Sequence, residues 1–538
     1  MKKNKILFWG AIIFAVSFAY ALPTYNKFWF PFDEGMTLAA ADIINHGGIP
    51  YKDFITPFGP AQFYILSFLF KIFGSYLEVA HLYIILLHSL ISIVIFYLSY
   101  KLSCSSKYAV FLWLVGMSCL APRIGSTAWS IWPLTFFSIL SALSFLLFIE
   151  HMRIKYAFTA GFLASLALLS RYELGCSLVF AELTILILLF LQREYYRARS
   201  RRIILFRSLG AYLSAVIILP LTFIVYAWKT NFIHDLFHSI LLPYIGIIKS
   251  VPPSFPAPCL NPVRIFYGSM EFITINQNYI PIIVYMVTAV VGIYLYAKKK
   301  IDKKYGISLL FLTMLGVLLF SYAYYGADVS HLMPVIFPSL ILSAFLFREC
   351  FKNGLDKAGF VFMYFIRFFG FLILILWALL FIKNTDKFIK NTYVKPFTGE
   401  SVLLQSRRGG IYVPKKEITA VKKVIEIIDA NTSPEEKIFI GFKSHKDTWQ
   451  GGEPMIYFLA DRLPATKHFI MFPGTFNKEK IQEEIIASLK DVNLIVLGNG
   501  IGNNPGVENG AETLDAYIKE TYKPYAQAGT YLIYVKKD

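Results

Sequence analysis

The sequence predicts an α-helical polytopic membrane protein of about eleven transmembrane helices with a C-terminal extracytoplasmic α/β domain. Three observations carry that prediction. Of 538 residues, 56% are hydrophobic and only 16% charged, with a mean hydropathy of +0.56; a soluble domain charges about a quarter of its positions. Apolar runs long enough to cross a hydrocarbon layer of about 30 Å recur through residues 1–382. From about residue 383 those runs stop, and segments of helical and strand periodicity alternate. The formal net charge of +18 is then a question of loop placement and not a sign of nucleic-acid binding.

The expected spans are 6–22, 77–102, 108–120, 131–149, 156–169, 174–191, 203–228, 280–297, 306–324, 332–347 and 360–382. Those at 108–120 and 156–169 are short for a crossing. One set of loops is rich in basic residues: Lys2, Lys3 and Lys5; Lys101 and Lys107; Arg153 and Lys155; "QREYYRARSRR"; "KKKIDKK"; and Arg348, Lys352 and Lys357. The alternate set carries mostly one at a time: Lys27, Lys52, Arg123, Arg171, Lys229, Lys249 and Arg264. The positive-inside rule places the first set and the amino terminus in the cytoplasm, and the second set and the carboxy-terminal domain outside a cell membrane. Lys2–Lys5, an apolar run and "AYA" at 19–21 also fit a cleavable signal peptide. Because the run leads into a polar loop and many further spans, a retained signal-anchor is the simpler expectation.

In residues 383–538, "KEITAVKKVIEII" precedes "KIFIGF", "EKIQEEIIASL" precedes "VNLIVLG", and "AETLDAYIKETY" precedes "TYLIYVKK". Each pair reads as a helix followed by a strand, which defines a small α/β domain. "LGNGIGNNPG" follows a strand, yet its third glycine comes one residue early and Pro505 forbids a helix there, so it reads as a loop. "HDLFH" sets His234 and His238 on one helix face without a third ligand in view. "NTS" at Asn431 fits a glycosylation acceptor. The five cysteines form no CxxC pair and read as apolar packing residues.

The unusual polar residues gather in the outside loops. Asp33 and Glu34 directly precede an amphipathic stretch closed by "HGG", where a carboxylate could cap a helix or complement its dipole. The same loop continues with Lys52 and Asp53, then Pro57 and Pro60 before an apolar helix that fits the membrane interface. Later outside loops hold Arg123, Arg171 with Glu173, and Asp328 with His331. Ionisable groups near a membrane interior cost about 2–3 kcal/mol each, and they usually face a cavity or a partner. Such a set suits glycosyl transfer from a lipid phosphate: a carboxylate takes the acceptor's hydroxyl proton, and arginine, lysine or a metal ion stabilises the departing phosphate. A transporter or flippase would call instead for charges at the midplane and an internal repeat. A lipid-linked oligosaccharide ligase or polymerase is a further alternative.

The run "FDEG", "HGGIPYKDF" and "PFGPAQFYI" resembles the first outside loop of GT-C glycosyltransferases, in their protein mannosyltransferase, aminoarabinose transferase and Rgt-like branches. "LLSRYELG" is similar to their Arg-x-Glu turn, and "GADVSHLMPVIFPSL" to their late Asp/His loop. The resemblance implies a GT-C-like membrane domain over 1–382 and a polyprenyl-phosphate-linked sugar as donor. It further implies a cell-envelope glycan, lipid or protein as acceptor, with inversion at the anomeric carbon. It implies Asp33 as base with Glu34 as its partner, and Arg171 and Arg123 near the donor phosphate. Lys52, Asp53, Glu173, Asp328 and His331 are then substrate-binding residues of the cavity. No cofactor is implied with certainty; a divalent metal is left open. "TPFGP" stands where the aminoarabinose branch has a Lys-Pro-Pro run, which leaves the donor sugar open.

Overall fold

The computed structural model describes residues 3–120, 125–192, 199–250, 255–258, 269–325, 329–352, 360–446, 448–450, 452–471, 476–503 and 510–537. Arg123 and Asp328 lie outside them.

The chain opens with α1 (Lys3–Ala21) and two helices of the first loop, α2 (Asp33–Asn45) and α3 (Ala61–Phe73). The bundle continues through α4 (Leu77–Ser103), α5 (Ser106–Leu120), α6 (Ile131–His151), α7 (Ile154–Ser170), α8 (Tyr172–Leu191) and α9 (Arg199–Lys229). It proceeds through α10 (Ile233–Ser250), α11 (Ser269–Asn276), α12 (Tyr279–Ala297), α13 (Lys303–Tyr325), α14 (Val329–Cys350) and α15 (Phe360–Ile389). All the expected apolar runs are helices, and among the described residues nine helices are long and apolar enough to cross a membrane. The two short runs are α5 and α7, of 15 and 17 residues. In α3, Phe68, Ile72 and Phe73 are exposed on one side while Phe63, Leu66 and Phe70 are buried on the other, the division expected of a helix lying in the interface. Gly74, at φ +87°, ends it.

The last long helix outruns its expected end at 382. It passes through a π-turn at Lys390–Val394 to Thr398 and stops at Gly399, whose φ is +73°. The C-terminal domain starts with a hairpin that the sequence did not lead us to expect, β1 (Ser401–Ser406) and β2 (Gly409–Pro414). Then come α16 (Lys415–Asn431), β3 (Phe439–Phe442), β4 (Thr448–Gln450), α17 (Met455–Leu459), α18 (Glu479–Ser488), β5 (Leu494–Gly498), β6 (Ile501–Asn503), α19 (Thr513–Thr521), β7 (Tyr522–Ala528) and β8 (Tyr531–Lys536). The helix-and-strand pairs expected from the sequence hold, except that the last ends in two strands, β7 and β8, instead of one. They build a four-stranded sheet in the order β3-β5-β8-β7, parallel between β3 and β5 and antiparallel elsewhere. α16 covers it with Val421, Val424, Ile425 and Ile428, an apolar stripe at helical spacing.

This domain is joined to the first loop by backbone as well as side chains. Tyr412 N–H donates to the Asn26 carbonyl at 2.8 Å, Ile55 N–H to Lys467 at 3.0 Å, and Met455 N–H to Pro31 at 3.2 Å. Trp29 Nε1 donates to Glu417 at 3.0 Å. Arg408, at the tip of the β1–β2 hairpin, reaches Asp42 on α2 at 3.0 Å, also pairs with Asp461, and donates to the Ser75 carbonyl at 3.1 Å. α2 is thereby held between the helix bundle and the C-terminal domain.

Candidate active site

Two carboxylates open α2, but neither caps it. Phe32 holds the N-cap position without a side-chain cap bond, and Asp33 is the first residue inside the helix. What survives of the expectation is charge: both carboxylates stand in the first turn, at the positive end of the helix dipole. Being consecutive on a helix, they diverge. Asp33 is half-buried, whereas Glu34 is 0% exposed.

Glu34 Oε1 accepts the Ala128 N–H at 2.7 Å and lies 2.7 Å from His81 Nε2. His81 Nδ1 donates to the Tyr25 carbonyl, which turns Nε2 towards Glu34. A buried carboxylate is tolerated only when paired and hydrogen-bonded, and this one is. Its Oε2 has no hydrogen-bond partner among the described residues. Glu34 thus ties α2 to α4 and to the loop before α6.

Arg171 sits in the extended residue between α7 and α8 (φ −150°, ψ 117°). Only 5% exposed, it donates from Nε to Glu173 at 2.8 Å, pairs with the same oxygen through Nη2 at 2.7 Å, and reaches Ser130 from Nη1 at 3.5 Å. Its guanidinium carbon lies 4.6 Å from the Phe58 ring centre, 4.8 Å from Tyr322 and 5.9 Å from Trp129. Aromatic faces hold a desolvated arginine by cation–π attraction. The His331 ring is 4.5 Å from Tyr322 and 6.1 Å from Trp129, which in turn meets Phe30 just ahead of α2 at 6.4 Å. One cluster therefore holds Arg171, Glu173 and His331, with Glu34 joined to it through the Ala128–Trp129 backbone, where the first loop meets the starts of α6, α8 and α14 and the ends of α7 and α13.

The approach of the first loop to this cluster depends on Gly59. A Cβ there would stand 1.9 Å from the Leu169 carbonyl oxygen, so "PFGP" lets the backbone rest on the end of α7 beside Arg171. Tyr51 completes the contact, its hydroxyl 2.7 Å from that of Tyr172 and donating to the Phe58 carbonyl at 2.7 Å.

Lys52 and Asp53 lie elsewhere. Tyr51 turns inward at φ 71°, and the next two residues face a cleft of about 650 Å³ between the first loop and the C-terminal domain. Arg123 and Asp328, also expected at the site, fall outside the described residues. Sequence reading missed His81, Ser130, Trp129 and Tyr322, all of which touch expected site residues; a histidine four residues into an apolar span was the one available signal. It also missed Glu182, in the middle of α8, which is wholly buried and accepts from Ser141 and Tyr212 hydroxyls at 2.7 and 2.8 Å. The His234 and His238 rings stack at 5.9 Å, and among the described residues no group of three or more His, Cys, Asp or Glu could hold a metal ion.

Neither family models nor curated protein sequences match the chain. Solved structures do. ArnT from Cupriavidus metallidurans bound to undecaprenyl phosphate matches at a TM-score of 0.54 and 13% identity, over 99% of this chain and 98% of that one. Its apo state matches at 0.54 and 12%, over 98% of each. The apo oligosaccharyltransferase of Archaeoglobus fulgidus gives 0.47 and 14%, over 100% of this chain and 75% of that one. At such identities the likeness to ArnT shows the fold alone: a multi-pass helical membrane domain followed by a smaller C-terminal domain, along nearly the full length of both chains.

Proposed function

We propose that this chain is an integral-membrane glycosyltransferase that moves a sugar from a polyprenyl phosphate to a cell-envelope acceptor on the extracytoplasmic face. The observation that carries this reading is the aromatic-walled Arg171, whose Trp129 wall meets Phe30 just ahead of the Asp33–Glu34 helix start. That the fold is shared with an ArnT seen with undecaprenyl phosphate supports the choice of donor.

In this reaction the acceptor hydroxyl oxygen attacks the anomeric carbon while Asp33 takes its proton. The bond from that carbon to the phosphate oxygen breaks, its electron pair leaves with the phosphate, and the configuration inverts. Positive charge from Arg171, the role the family resemblance also implies for Arg123, stabilises the phosphate as it departs. Glu173 keeps the Arg171 fork in plane; Glu34, locked to His81 and Ala128, positions Asp33; His331 belongs to the wall.

The test is transfer of labelled sugar from polyprenyl-phosphate donors by purified protein in lipid nanodiscs. Asp33→Asn is expected to lower the rate by about 10²–10⁴-fold with the melting temperature unchanged. Full activity in a well-folded Asp33→Asn protein would overturn the assignment. A reporter fused after residue 538 tests the orientation: activity in the cytoplasm would place the cluster on the wrong face.

A further inference from the structure

The cleft of about 650 Å³ lies apart from the Arg171 cluster and has walls from both halves of the molecule. The first loop supplies His46, the Gly47–Gly48 turn, Lys52 and Asp53; the C-terminal domain supplies Lys437, residues 463–467 and the face of α18 bearing Glu484 and Ser488. Its charges do not cancel. Asp53 is taken up by its own turn, accepting the Ile49 N–H at 2.7 Å. Glu484 is held by Lys467 at 3.0 Å and His468 at 2.9 Å. Burial alone would raise the Glu484 carboxyl, but these two partners hold it below its usual value, so it stays an engaged anion. Lys52 and Lys437 are both exposed and make no ion pair among the described residues. Two ammonium groups therefore face a roomy cleft whose carboxylates are already committed, with the Thr466 and Ser488 hydroxyls beside them.

We propose that this cleft binds a saccharide bearing a negative charge, carboxylate or phosphate. The lysines would take the charge and the hydroxyls and turn backbone the sugar's hydroxyl groups. Calling that saccharide the acceptor rests on the glycosyltransferase reading; the binding itself does not. The open side of the cleft is then an acceptor subsite assembled only when the C-terminal domain is docked on the first loop.

Calorimetric titration of the full-length protein in nanodiscs tests this with three probes: an oligogalacturonate, a phosphorylated maltooligosaccharide and the unmodified maltooligosaccharide. One or both charged probes are expected to bind and the neutral one to bind at least about tenfold more weakly; which charged probe wins identifies the group. Lys52→Gln with Lys437→Gln is expected to weaken the charged probe at least about tenfold, and the paired Lys→Arg changes to restore it. Equal binding of the neutral probe, unchanged binding in the double glutamine variant, or displacement by undecaprenyl phosphate would overturn the proposal. Asp33→Asn separates the two readings. If it loses transfer but keeps the charged probe, both stand. If it keeps transfer while the probe still binds, the base assignment fails and the cleft remains.

Discussion

Asp33 and Glu34 are neighbours in sequence with opposite physical situations, and their substitutions separate accordingly. Glu34 is buried against the His81 ring and the Ala128 N–H. Glu34→Ala leaves both donors without a partner in the interior, and a loss of about 3–5 kcal/mol in stability is expected. Glu34→Gln keeps the shape and one acceptor, so it costs less. Thermal unfolding in detergent ranks the pair, and Asp33→Asn should fall close to wild type. Arg171 offers a second contrast. Lysine carries the charge but cannot make the Nε and Nη2 contacts to Glu173 or lie flat on Phe58 and Tyr322. Arg171→Lys is therefore expected to lose about 10²-fold in transfer rate, and equal rates for the two side chains would remove the planar-fork requirement. Glu182 differs from both. Its oxygens are satisfied by hydroxyls from two other helices, which marks it as a tie within the bundle and not a carrier of charge through it.

Elements of the fold differ in how much of their placement the sequence reveals. The long helices are legible because hydropathy acts locally: a continuous apolar run must be helical in lipid whatever surrounds it. The amphipathic start of α2 is legible for the same reason. What packs on α2 is not. Gly35 reads as a neutral small residue, yet a Cβ there would stand 2.1 Å from the Met455 backbone nitrogen, a neighbour more than four hundred positions away. Gly35→Ala is expected to destabilise by about 1–3 kcal/mol and to expose the 452–471 segment to limited proteolysis; unchanged melting and cleavage would show that this contact yields freely. The β1–β2 hairpin was missed although "RRGG" between two short apolar runs is a turn signal, because it follows the last span where a linker is the usual expectation. Site residues divide the same way. Glu173 beside Arg171 is a local pattern, while Tyr322 and His81 reach the cluster only through helix packing. Lys52 and Asp53 were assigned to the wrong neighbourhood because a single turned residue, Tyr51, sends them to the far side of the loop.

The whole molecule turns on the docking of the C-terminal domain, since the first loop carries the proposed base on one side and the cleft on the other. An ionic bridge helps to hold it. Arg408 bridges Asp42 of α2 and Asp461; Arg408→Ala strands the buried Asp42 carboxylate, while adding Asp42→Asn should recover part of the loss, a coupling that a double-mutant cycle reads directly. A second ionic cluster, Lys467 and His468 with Glu484, lies within the C-terminal domain and gives its stability a pH dependence. Burial, reinforced by the charges of Lys467 and His238, holds the His468 imidazole below the usual histidine value in spite of its bond to Glu484. Below about pH 6.5 an unfolded chain takes up a proton at this histidine that the folded chain still excludes. Stability must therefore fall as the pH drops through that value. Glu484, whose folded value is depressed, contributes stability that is lost only further down, below its unfolded value of about 4.3. Between about pH 7 and about pH 5 the histidine alone of this pair sets the slope, and His468→Gln removes it. The expected result is a melting temperature that declines less on acidification in His468→Gln than in wild type; parallel curves would mean that His468 does not set the acid slope of stability.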